Sequence, residues 1–110
     1  MSGGSGKLTS PGVEPVLPDN LDLVRTTDEF DEHTVPPGLL KAHRTASGVW
    51  GNLTVRSGSL DFAFEDDANS LRSVETGGSQ PIPPGRPHRV ILTGPTKFAV
   101  EFYRSDSSAV

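Results

Sequence analysis

The chain has 110 residues, a formal net charge of −4 and no cysteine. That length allows one domain, and the missing thiols exclude disulfides and thiolate metal sites. The few basic residues stand singly, which argues against a nucleic-acid partner, and no stretch is apolar enough for a membrane span or a secretory signal, so the cytoplasm is the default location.

In chain order, Met1 to Pro15 is Gly-, Ser- and Pro-rich and reads as a disordered lead-in or an expression remnant. Gly6-Lys7 there lacks the following hydroxyl and the preceding strand of a phosphate loop, and is rejected as one. The folded domain is expected over residues 16–104, with a frayed tail at 105–110. Leu21 to Thr26 reads as a short extended piece, and Thr27 to Glu32 as a strand end or one helical turn around Phe30. Pro36-Pro37-Gly38 stops any helix, and Leu39 to Arg44 is expected as a strand carrying His43.

Val49 to Arg56 alternates, with Val49, Gly51, Leu53 and Val55 on one face and Trp50, Asn52, Thr54 and Arg56 on the other. Leu60, Phe62 and Phe64 alternate in the same way. The Arg56-Ser57-Gly58-Ser59 stretch between them predicts a hairpin turn. Glu65 to Asn69 is an acidic loop without calcium-loop spacing, read as a solvated tip, and Leu71 to Glu75 is a weaker strand.

From Gly77 to His88 runs an elbow dense in glycine and proline, ending in His88 at the start of the apolar Arg89 to Thr93 strand. Lys97 to Tyr103 closes the chain, with Phe98, Val100 and Phe102 opposite Ala99, Glu101 and Tyr103. No window shows a sustained helical stripe. Seven or so short strands predict an all-β antiparallel sandwich or small barrel.

The spacing of Gly77, Pro83, Gly85 and His88 resembles the second signature of the cupin barrels, except that Leu92 stands where that signature ends in asparagine. Leu17 to Leu21, Val35 to Leu40, His43, Gly48 to Gly51, Gly58, Pro83 to His88 and Val100 to Arg104 together resemble the small cupin-like domain of YeaR-type proteins. The same domain forms the N-terminal part of some TehB-type tellurite-resistance proteins. The resemblance implies a double-stranded β-helix with a metal pocket in its mouth, a homodimer and a possible tie to tellurite or other stress, but no settled activity. The methyltransferase of the fused proteins has no counterpart here. The first cupin signature is also eroded, since Thr45 follows His43 where a second histidine would stand.

Two histidines and a carboxylate on different strands can hold a metal with an open position. The candidate set is His43, His88 and Glu101. The ion would be divalent, zinc first, with iron or nickel as alternatives. Glu101 belongs only if its side of the last strand faces inward. Trp50 could form an aromatic wall beside Gly51, and Arg44, Arg56 and Arg89 could seat an anion. Each residue also has a plain structural reading: a histidine closing a turn, a packed tryptophan, surface arginines and a surface-paired Glu101. Three functions therefore stay open. One is a metal-dependent binder of a small anionic or oxidised molecule, one a metal-dependent oxygenase or hydrolase, and one a purely structural or interaction module.

Overall fold

The computed structural model describes residues 15–40, 43–67 and 69–105. The expected lead-in and tail fall almost wholly outside them. Ser105, read from sequence as tail, is the last residue of a strand and pairs with Leu21.

Seven strands follow in order: β1 (Leu21–Thr26), β2 (Phe30–Asp31), β3 (Trp50–Phe64), β4 (Arg72–Glu75), β5 (Ser79–Ile82), β6 (His88–Ile91) and β7 (Thr96–Ser105). All pairings are antiparallel. One 3₁₀ turn, Pro37–Leu40, is the only helical piece among the described residues. None of their helices is long and apolar enough to cross a membrane.

The predicted hairpin at Arg56–Ser59 does not exist. Trp50–Phe64 is one 15-residue strand that serves two sheets. Its first half lies between β7 and β5, and its second half between β4 and β6. β1 and β2 extend the first sheet beyond β7. The crossing from one sheet to the other falls at a register shift between Val55 and Ser57 and at Gly58, whose φ of 72° lies in the left-handed region. Serine and glycine here bend a strand instead of reversing it, which is what a bulge does. Thr76 donates to the Gly58 carbonyl oxygen at 2.9 Å and Thr96 to that of Ser57 at 3.3 Å, so the bend is tied to the strands on both sides.

The strand expected over Leu39 to Arg44 is not seen in its described residues: Leu39 and Leu40 end a 3₁₀ turn and His43 makes an isolated bridge, while residues 41 and 42 lie outside the described ones. Pro36 and Pro37 supply preset φ angles and no N–H, so the chain takes a 3₁₀ turn closed by Leu39 N–H to the Pro36 carbonyl at 2.9 Å. Leu39 is buried below it and Leu40 is exposed. The elbow is shorter than its composition suggests. Its first half is strand β5, where Pro81 sits without penalty because β5 pairs along one edge only, with β3.

Between the two sheets lies a single core. Leu53, Val55, Phe98 and Val100 come from the first sheet, and Leu60, Phe62, Phe64, Val74 and Val90 from the second. Burying these side chains contributes about 1.5–3 kcal/mol each against the cost of ordering the chain. The alternation read from sequence accounts for those on β3 and β7. Burial decides the parity on β7 that alternation leaves open: Phe98 and Val100 point inward, so Glu101 points out.

Candidate functional site

At one end of the sandwich the sheets part around a cavity of about 220 Å³. Its walls are mainly apolar, with Leu53, Ile82, Val90, Val100 and Phe102 among them. Its polar members are Arg25, Thr27, Thr45, His43 and His88.

His88 is 2% exposed. Pro83 to Pro87 delivers it to the first position of β6. Its ring lies nearly parallel to Phe62, with centroids 5.5 Å apart and 17° between planes. Nδ1 lies 3.0 Å from the Arg86 carbonyl oxygen. A carbonyl can only accept, so Nδ1 carries the proton, and in the neutral ring Nε2 keeps its lone pair.

His43 reaches the same place from the other side. Its N–H donates to the His88 carbonyl at 2.7 Å and its carbonyl accepts from His88 N–H at 2.9 Å, a two-bond antiparallel bridge. The two imidazoles meet edge to face, with centroids 5.4 Å apart. The sequence reading set both in one candidate site from different parts of the chain, and the structure brings them together as direct neighbours.

Burial holds both imidazoles below the usual histidine pKa. For His88 the neighbouring His43 pushes the same way, while the bond to Arg86 opposes it. The unfolded chain, with histidines near 6.5, therefore binds more protons than the folded one once the pH falls below that value. The histidine contribution to stability is fully present above pH 6.5 and declines on acidification toward the lowered folded values. The carboxylates with depressed pKa, Asp31, Glu32 and Asp66, start from 3.8 and 4.5 and act only in more acid solution. Metal-free protein is thus expected to lose thermal midpoint as the pH falls below 6.5, and a His43→Gln/His88→Gln double variant to show a flatter profile there. Identical slopes would contradict this.

Glu101 is not part of the site. Its Oε1 accepts from Tyr103 Oη at 2.7 Å and from Asn52 Nδ2 at 3.2 Å, on the face of the first sheet opposite the cavity. Donating to this carboxylate also raises the pKa of the Tyr103 hydroxyl. Trp50 belongs to that outer face too, paired with Tyr103, and Gly51 faces Ile82 and Thr45 at ordinary contact distance instead of open space. The three candidate arginines are elsewhere. Arg44 approaches the Gly85 carbonyl at 3.5 Å, Arg56 pairs with Glu29 at 3.4 Å, and Arg89 pairs with Glu65 at 3.8 Å. The acidic loop is similarly engaged: Arg86 holds Asp66 through both carboxylate oxygens and lies over the Phe64 ring, tying loop to elbow.

The arginine at the cavity is Arg25, which strand alternation does not single out. A register shift between Leu23 and Arg25 on β1 sets Arg25 opposite Phe102, and its guanidinium lies 5.4 Å from that ring's centroid. Plain alternation assigns the wrong face after such a bulge.

Among the described residues no group of three His, Asp or Glu side chains is placed to hold a metal ion. The three-residue set therefore does not form. What remains is a pair of neutral imidazoles, and His88 has the arrangement common in metal-bound histidines, with one nitrogen fixed by a carbonyl and the other free. Two such donors fit a divalent transition ion whose other positions are filled from outside the protein.

A family model described as the TehB-like domain matches residues 25–100. A crystal structure of a protein from Escherichia coli strain K12 is similar with a TM-score of 0.76 and 22% identity, over 83% of this chain and 97% of that one. TehB from Haemophilus influenzae is similar with a TM-score of 0.72 and 23% identity over 79% of this chain. The match covers 32% of the TehB chain, about a third of it. No curated protein matches.

Proposed function

The chain belongs to the TehB-like domain family, with an antiparallel cupin-like β-sandwich, and on that basis we propose that it is a small-molecule-binding domain that seats a divalent metal ion on His43 and His88. The observation that supports this reading is the histidine pair itself. Two neutral imidazoles share one cavity, and the tautomer of His88 is fixed by the Arg86 carbonyl so that Nε2 is available as a donor.

Zinc is the first choice, because imidazole suits a borderline ion and zinc has no geometric demand that two nitrogens would violate. Held there by His43 and His88, such an ion would supply Lewis acidity toward an oxygen of a small anionic or oxidised ligand. The protein's own contribution is to orient the rings and keep the surroundings dry. Phe62 backs the His88 ring, the backbone bridge fixes the spacing of the pair, and the apolar walls limit water. Binding is favoured over turnover because, among the described cavity residues, there is no carboxylate and both hydroxyls are already bonded to the main chain.

Two protein ligands hold an ion less firmly than three or four, so the test is an equilibrium titration of zinc(II) into metal-free, untagged protein. One site per chain is expected. His43→Ala should weaken it by about 100-fold or more, while His33→Ala, on the exposed His33, should leave it unchanged. A wild-type protein without a zinc site, or one whose site survives His43→Ala, would overturn the proposal.

A further inference from the structure

We infer that the cavity's ligand is a compact amphipathic acid, its carboxylate seated on Arg25 at the rim and its apolar body lying against Leu53, Val100 and Phe102. This rests on the reading above only in taking the space between the sheets as the ligand site, and it does not require the metal.

The inference follows from accounting for the polar side chains that line the cavity. Thr27 Oγ1 donates to the Asp28 carbonyl at 2.9 Å and accepts from Val100 N–H at 3.0 Å. Thr45 Oγ1 donates to the Val49 carbonyl at 2.8 Å and accepts from Gly85 N–H at 3.2 Å. Both hydroxyls thus hold the frame and neither is free for a ligand. His88 Nδ1 is bound to the Arg86 carbonyl. The groups left are the Arg25 guanidinium, the His43 ring and His88 Nε2.

Arg25 differs from the arginines around it. Arg56, Arg86 and Arg89 each face a carboxylate and Arg44 approaches the Gly85 carbonyl outside the cavity lining, whereas Arg25 lines the cavity and has no acidic partner among the described residues. Phe102, also a cavity wall, lies under its guanidinium. A guanidinium held over a ring's face by cation–π attraction spends none of its N–H groups on that contact, which leaves them for bidentate bonding to a carboxylate. The chain as a whole carries −4, so an unmatched cation at the mouth is a local feature running against the overall charge.

The walls choose between kinds of anion. A bare inorganic oxyanion entering this cavity would give up hydration on every side and regain partners on one, a costly exchange. A carboxylate with an apolar body keeps its charge at the exposed rim and places hydrocarbon against hydrocarbon. Size narrows the class further. About 220 Å³ is below the ~300–1,000 Å³ of pockets for drug-sized ligands, which suits a single ring or a short branched chain. A second polar group on such a molecule would meet His88 Nε2 or the ion beside it.

The experiment is a ¹H–¹⁵N NMR titration of metal-free and zinc-loaded protein with benzoate and isovalerate. Benzamide serves as the uncharged counterpart and nitrite as the bare anion. The two acids are expected to shift the amides of Arg25, Leu53 and Phe102 and to saturate at about millimolar concentration or below. Benzamide and nitrite should bind at least ~10-fold more weakly. Arg25→Gln should cost the acids ~10-fold or more in affinity, and Arg25→Lys should recover part of that loss. Equal binding of benzoate and benzamide, acid affinity unchanged in Arg25→Gln, or no acid-induced shift at ~10 mM would overturn the inference. The zinc titration separates the two proposals. Arg25→Gln should bind zinc as the wild type does, and acid binding through Arg25 in a protein that takes no zinc would leave this inference standing while the metal reading fell.

Discussion

Gly58→Ala is expected to lower stability by about 3–5 kcal/mol, a large share of what a domain of this size possesses. Two costs combine. The φ of 72° is disfavoured for any residue with a Cβ. The added atom would also fall inside the contact radius of the Pro95 carbonyl oxygen and 3.1 Å from Thr96 Cα. Both neighbours are backbone, so no side chain can swing away, and relief requires moving the turn before β7 or undoing the Gly58–Thr96 pairing. Gly77 supplies the control. Its φ of 85° is just as left-handed, yet a Cβ there would meet nothing within 4 Å, so Gly77→Ala should cost only about 1 kcal/mol. Urea midpoints of the two variants measure the difference. Equal midpoints would show that the crossing of β3 between sheets is not as tightly packed as described.

His88→Ala is expected to remove both the zinc site and about 2–4 kcal/mol of stability. The ring stacks on Phe62 and meets His43 edge-on, so truncation enlarges an existing cavity beside two aromatic faces. It also deprives the Arg86 carbonyl of its donor. His88→Gln separates the effects: its amide can still donate to a carbonyl and fills more of the space, so stability should largely return while zinc affinity does not. Zinc titration together with chemical denaturation reads both quantities. Zinc binding that persists in His88→Gln would place the ion elsewhere.

How much the sequence discloses depends on whether a feature is set by local alternation or by a bulge. Leu53, Val55, Phe62, Phe98 and Val100 are readable as core from period-two spacing alone, and the whole all-β character follows from them. The glycine–proline spacing ahead of His88 likewise points to the residue at the centre of the cavity. Gly58 is different. A serine–glycine pair between two apolar runs looks the same whether the chain reverses or merely bends, and only the partner strands, far away in sequence, decide. Arg25 is hidden by the same physics, since one extra residue after Leu23 shifts the side of everything that follows. Glu101 was ambiguous because the alternation on β7 tells which residues share a face, not which face is dry. His43 and His88 stand in one candidate set, but their direct contact is not in the alternation, because it rests on a single backbone bridge between segments 45 positions apart in number.

The position of β7 has a consequence for how the domain comes into being. The strand nearest the C-terminus is the one on which β1, β2 and the first half of β3 all pair. During synthesis, therefore, the second sheet can assemble as soon as β6 has left the ribosome, but the first cannot. Until residue 105 emerges, the early strands wait with apolar faces and open backbone edges exposed, the condition under which nascent chains are prone to aggregate. The last strand of the domain acts as its closing piece, and the cavity between the sheets, with Val100 and Phe102 in its wall, exists only after it docks. A chain stalled or cut before β7 would have both histidines and no site to put them in.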